Sequence, residues 1–171
     1  SVKSLRCLSS LCLPDARGVC SVCFTADEDH LVSVSDDVFH TITVWDWRKA
    51  CPVVSARGDI NKTLMVACNP YDYASDGLGT VVTCGIKHVK FWTIVDGQLV
   101  GTKGEYAGVS SFCNILNIAF TPRFTLTGTQ DGMVYVWEKG VLHTVLKHAA
   151  ECPVFGLCSV QDTRVHEHES E

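Results

Sequence analysis

The stretch Thr41-Ile-Thr-Val-Trp-Asp-Trp47 (TITVWDW) decides how the chain is to be read. Its apolar and hydroxyl side chains alternate, the period of an extended strand whose successive residues point to opposite faces. The strand ends on an aromatic residue followed by an acid. A strand-like run ending on tryptophan occurs twice more, at Trp92 in HVKFWTI and at Trp137 in MVYVWEKG, the latter again followed by an acid. Spacings of 47 and 45 residues between these tryptophans mark an internal repeat. The registers agree: Ile42 and Val44 match Val89 and Phe91, then Val134 and Val136, so every copy carries one apolar face.

Two further strand-like runs precede each tryptophan. They are VCSVCF (19–24) and LVSVS (31–35), TLMVAC (63–68) and TVVTCG (80–85), then ILNIAF (115–120) and FTLTGT (124–129). A shorter run follows each: CPVVSA, GQLVGT and VLHTVL. Four short strands per period of about 45 residues, separated by turn residues, predict an all-β chain built as propeller blades. The expected blades cover about 19–55, 63–101 and 115–146. An extra inner strand, CPVFGLCSV, is expected over 152–160. Three blades and a fraction do not close a ring of ordinary geometry, so the expectation is a partial propeller. Residues 1–18 are read as an irregular segment in which 4–13 supply an outer strand of a preceding blade. The acidic 161–171 are read as a disordered tail.

Composition narrows the function. The chain has 171 residues, 46% hydrophobic, enough for a real core. A net charge of −5 argues against sequence-independent nucleic-acid binding, which needs a basic face. No uninterrupted apolar run approaches the roughly 20 residues of a membrane-spanning helix. The opening SVKSLRCLSSLCL is basic and free of acids, as in a transit segment, but the preferred expectation is a fragment beginning inside a longer protein. The ten cysteines sit largely in apolar, strand-like runs and are read as reduced thiols packed as small hydrophobes. That reading predicts a cytoplasmic protein.

The motif TLTGTQDGMVYVWEKG resembles a WD repeat. In that family a strand hydroxyl, a tryptophan, a turn aspartate and a histidine share a buried hydrogen-bonded network. The resemblance implies such roles for Thr127, Trp137 and Asp131, with Trp45 and Trp92 as the equivalent blade tryptophans. The pattern is incomplete: IKH stands where the second copy needs its aspartate, and the family's Gly-His pair is absent. A narrower resemblance covers most of 19–160. The runs VCSVCFTADEDHLVSVSDD, ITVWDW, VACNPYD, VTCGIKHVKFW and GMVYVWEKG are similar to the echinoderm microtubule-associated protein-like family. That resemblance implies a non-catalytic interaction module, tubulin or microtubules as partner, and a place on the microtubule cytoskeleton. The alternative is a WD-type adaptor scaffold for another protein complex.

Sites of chemistry are sparse in the sequence. Cys20-Ser-Val-Cys23 places its sulfurs on opposite faces of a strand, which disfavours a shared metal. His166 and His168 lie in the acidic tail. No nucleophile or phosphate-binding motif accompanies His88, His143 or His148. The expectation is therefore no enzyme, no small-molecule substrate, no cofactor and no metal. The candidate partner contact is the cluster Lys87, His88 and Lys90, read as facing an acidic protein surface.

Overall fold

In the computed structural model, described for residues 7–13, 17–72, 79–108, 113–147 and 152–159, twelve strands form three four-stranded antiparallel sheets. The first sheet holds β1 (Val19–Phe24), β2 (His30–Ser35), β3 (Ile42–Asp46) and β4 (Cys51–Ala56). The second holds β5 (Thr63–Cys68), β6 (Val81–Gly85), β7 (His88–Val95) and β8 (Gln98–Lys103). The third holds β9 (Ile115–Phe120), β10 (Thr125–Thr129), β11 (Met133–Glu138) and β12 (Val141–Lys147). Within each sheet the strands follow in chain order, because consecutive strands joined by tight turns pair most readily. The chain is all-β, and its three sheets are blades of a partial β-propeller.

The sheets stack through their first strands, β1 against β5 and β5 against β9, with β4 against β8 at the outer side. Alternation along β6 shows how the stack is filled. Val81 faces the first blade and packs with Val32, Val34, Ile42, Val44, Val66, Trp92 and Leu99. Its neighbour Val82 faces the third blade, with Cys84, Val89, Ile115, Tyr135 and Trp137. A strand covered on both faces must be apolar or hydrogen-bonded throughout, and all five residues of β6 are buried. The outermost strands β4 and β12 are mostly exposed. The first strands differ: β9 is covered almost throughout, whereas Val19, Val22 and Phe24 of β1 are about half exposed. Among the described residues, no sheet lies beside this side of the first blade.

Two sequence expectations at the ends are corrected. Residues 152–159 form no strand, and Val160 lies outside the described residues. The segment does approach the third blade: Val154 N–H donates to the Thr129 carbonyl at 3.0 Å, and Asn117 Nδ2 donates to the Val154 carbonyl. Gly128 permits this, since a Cβ there would lie 2.7 Å from Val154 Cγ1. A ladder requires a partner for each backbone group, and these residues have no sheet of their own to complete one. Residues 7–13 likewise form no strand. The first six residues and the expected disordered tail 161–171, with His166 and His168, lie outside the described residues, as does His148.

Candidate functional site

Each blade is closed by the same polar pair. The Trp45 indole N–H donates to Ser33 Oγ at 2.9 Å, Trp92 to Thr83 Oγ1 at 2.8 Å, and Trp137 to Thr127 Oγ1 at 2.9 Å. All six residues are buried. A buried indole N–H without an acceptor would keep its full desolvation cost, so the hydroxyl is what permits a tryptophan here. Trp92 and Trp137 lie on the faces turned toward the preceding blade. By register with Leu31, Trp45 lies on the corresponding face of the first blade, away from the second.

Asp131 has a different partner from the one its resemblance implied. Its carboxylate accepts from the Thr129 hydroxyl at 2.5 Å, while Thr129 Oγ1 also accepts from Met133 N–H at 2.8 Å. The aspartate therefore braces the β10–β11 turn, and the Thr127–Trp137 pair stands two residues deeper in the strand. Asp37 does the same in the first blade, accepting from Ser35 Oγ at 2.5 Å. The second blade has Gly85 at the matching position.

The structure divides Lys87, His88 and Lys90. Lys87 is exposed at the β6–β7 turn, with a left-handed φ of 56°, close to Cys113, Asn114, Gln130 and Asp131 of the neighbouring blade. His88 and Lys90 turn inward instead. They are four and two residues from Trp92, respectively, and so share its face, which is covered by the first blade. Both approach Asp59, a residue of the link between the first two blades whose side chain is 1% exposed. His88 Nδ1 lies 3.8 Å from the carboxylate, and Lys90 Nζ and Lys103 Nζ each lie 3.7 Å from it. Lys90 donates to the Gly58 carbonyl at 2.7 Å and sits 5.2 Å from the Trp92 ring centroid. Thr63 Oγ1 lies 3.4 Å from His88 Nε2.

This cluster clasps the interblade link onto the second blade. Burial alone would raise the Asp59 pKa, but the Asn61 amide and the electrostatic pull of His88, Lys103 and Lys90 outweigh it and hold the carboxyl below its ordinary range. Burial holds His88 below the usual imidazole value. The Ile86 carbonyl and Asp59 oppose that shift, and Lys90 and His40 reinforce it. His88 and Lys90 therefore serve cohesion between blades rather than an exposed contact. Asp59 escaped sequence reading because it sits in RGDINKT, a link without periodicity, and its partners are 29 to 44 positions away.

At the opposite rim a groove of about 550 Å³ opens between the second and third blades. Tyr71, Phe91, Phe124 and Trp137 supply its apolar walls, with Arg123 and Lys139 at its margin. Arg123 Nε is 3.1 Å from Glu138, and His143 stacks on Phe124 at 5.5 Å. The arrangement offers a surface for a chain or loop, built at the junction of two blades.

The comparisons with known proteins agree with this architecture. Residues 1–170 match the model of the first β-propeller of echinoderm microtubule-associated proteins. Human echinoderm microtubule-associated protein-like 2 is 31% identical over 152 residues, 85% of this chain and 22% of that protein. The 77 kDa echinoderm microtubule-associated protein of Strongylocentrotus purpuratus is 27% identical over 154 residues, 87% of this chain and 22% of that protein. Mouse echinoderm microtubule-associated protein-like 1 is 28% identical over 151 residues, 85% of this chain and 18% of that protein. The chain thus spans about a fifth of the length of these relatives.

Proposed function

The chain belongs to the echinoderm microtubule-associated protein family, and from that premise we propose that it is a non-catalytic binding module for tubulin or microtubules, acting in the cytoplasm on the microtubule cytoskeleton. The observation that carries the reading is the match of the family's first propeller along nearly the whole chain. The rim around Lys87 supports it. Lys87 is exposed beside Asn114, Gln130 and Asp131 of the third blade, and its positive charge suits an acidic protein surface. Stable protein interfaces take roughly 800 Å² from each partner, so three blades supply part of a contact and bind weakly alone. Attraction between exposed charges is screened over about 8 Å at physiological ionic strength, so binding weakens as salt rises.

The test is co-sedimentation of the folded chain with polymerised tubulin at low and physiological salt. The expected result is a pelleted fraction that falls with salt and falls again in Lys87→Glu. Folded chain that stays in the supernatant at low salt, at tubulin concentrations of tens of micromolar, would refute the microtubule reading and favour an adaptor role.

A further inference from the structure

The β2–β3 turn of the first blade, Asp36 to Thr41, is longer than its counterpart at Gln130-Asp131-Gly132. Its extra residues are held in a fixed shape. Asp37 accepts from Phe39 N–H at 2.7 Å and Thr41 N–H at 3.2 Å as well as from Ser35. Asp36 N–H donates to the Gly18 carbonyl at 2.8 Å, which draws Asp36 against the start of β1 and toward Cys20. His40 takes a left-handed backbone, φ 47°, and its carbonyl lies so close to Gly58 that a Cβ there would be 2.1 Å away. Gly58 N–H also ties down the Phe39 carbonyl at 3.0 Å.

This frame brings three different donors together. One ligand atom each from Cys20, Asp36 and His40 lies within 4.8 Å of the other two. Nδ1 of His40 is buried and has no hydrogen-bond partner, so no protein donor competes for its lone pair. A shallow cavity of about 270 Å³ adjoins the site, lined by Cys20 and Asp36 and by Lys62 and Thr63.

We propose that Cys20, Asp36 and His40 form a three-ligand site for a thiolate-accepting divalent cation of the zinc class. Sulfur, imidazole and carboxylate together suit zinc, whereas calcium and magnesium take oxygen donors. Zinc bonds of about 2.0–2.3 Å in a tetrahedron place donors roughly 3.5 Å apart, within reach of small side-chain rotations from the present arrangement. The cavity beside Cys20 and Asp36 leaves room for water or a partner's donor to complete the coordination. Burial and the neighbouring Asp36 and Asp37 push the Cys20 thiol up, while Lys62 opposes them. Binding therefore replaces the thiol proton: the S–H bond breaks, a sulfur–metal bond forms, and the proton goes to solvent.

Sequence spacing pairs Cys20 with Cys23 and so conceals the site. Cys23 instead faces the core, its Sγ 2.7 Å from Cys68 Sγ across the blade interface. Cys20 finds its neighbours 16 and 20 positions later, in the lengthened turn.

The experiment is a cobalt(II) titration of the full chain in which exposed Cys7, Cys12, Cys51, Cys152 and Cys158 are changed to serine. One equivalent of cobalt should produce tetrahedral d–d bands together with thiolate-to-cobalt charge transfer, and zinc should bleach both. Cys20→Ser should abolish the charge transfer, and His40→Ala and Asp36→Asn should each weaken binding by about tenfold or more. Circular dichroism and melting of the metal-free variants must match the parent, which separates a lost ligand from a lost fold. Absence of charge transfer in the folded parent, or its persistence in Cys20→Ser, overturns the assignment.

Discussion

Replacing Trp137 by alanine probes the architecture at its most densely aromatic point. The side chain is fully buried, and Tyr106, Phe91 and Tyr135 surround it at centroid distances of 5.1, 5.9 and 6.0 Å. Gly104 touches it so closely that a Cβ there would lie 2.8 Å from the ring. Truncating a packed aromatic to alanine costs about 3–5 kcal/mol through lost burial and the cavity left behind. The Thr127 hydroxyl, itself fully buried, also loses its donor, a loss of about 1 kcal/mol within that range. Against a typical domain stability of about 5–15 kcal/mol the change is severe. Trp47 provides the internal comparison. It stacks edge-on with Phe24 at 6.0 Å and donates to the Glu28 carbonyl in an exposed setting, so Trp47→Ala should cost about 1 kcal/mol or less. Urea melts of both variants read the difference. A cost for Trp137→Ala below about 0.5 kcal/mol, or equal to that of Trp47→Ala, would place Trp137 outside a packed blade interface and refute the assigned register.

Gly101 pairs with Trp92 across β7 and β8, and a Cβ at this position would lie 2.6 Å from the indole. Gly101→Ala should therefore destabilise the second blade by about 1–3 kcal/mol in the same melts, and an unchanged midpoint would contradict the close contact. Acid should weaken the fold in two steps. His88 is held below the usual imidazole value, so below about pH 6.5 the unfolded chain gains a proton that the native chain resists. Asp59 is held below the ordinary carboxylate range, and its contribution is lost only as pH falls below about 4. Urea midpoints should fall from pH 7 to 5 and fall less steeply in His88→Gln; identical slopes would remove His88 from the linkage.

The tryptophan period was legible because a two-residue alternation and a rare aromatic end both survive in the sequence. The Trp–hydroxyl pairing at Thr127 and Trp137 was legible only through the resemblance to a WD repeat, since periodicity alone names no hydrogen-bond partner. The fate of His88 and Lys90 was also present, though unread. Both share the parity of Trp92, so whichever face buries the tryptophan buries them. What no local pattern supplied was Asp59, whose irregular link reaches His88, Lys90 and Lys103 only when blades stack. The segment 152–159 failed in the opposite direction. Its residues favour a strand, but a strand is a property of paired backbones, and Val154 alone finds a ladder partner in Thr129. Family membership likewise came from several motifs together, whereas the metal-ligand cluster depends on turn length and could be seen only in three dimensions.

The most direct test of one buried tryptophan–hydroxyl pair per blade is hydrogen exchange at the four indole N–H groups, read by nitrogen–proton correlation spectra of the folded chain. Buried hydrogen-bonded groups exchange through opening of the surrounding structure, whereas exposed ones exchange freely. The account predicts three slowly exchanging indole signals, assigned by single Trp→Phe substitutions to Trp45, Trp92 and Trp137, and one rapid signal from Trp47. Rapid exchange at any of the first three in the folded protein, or protection of Trp47 equal to theirs, would contradict it.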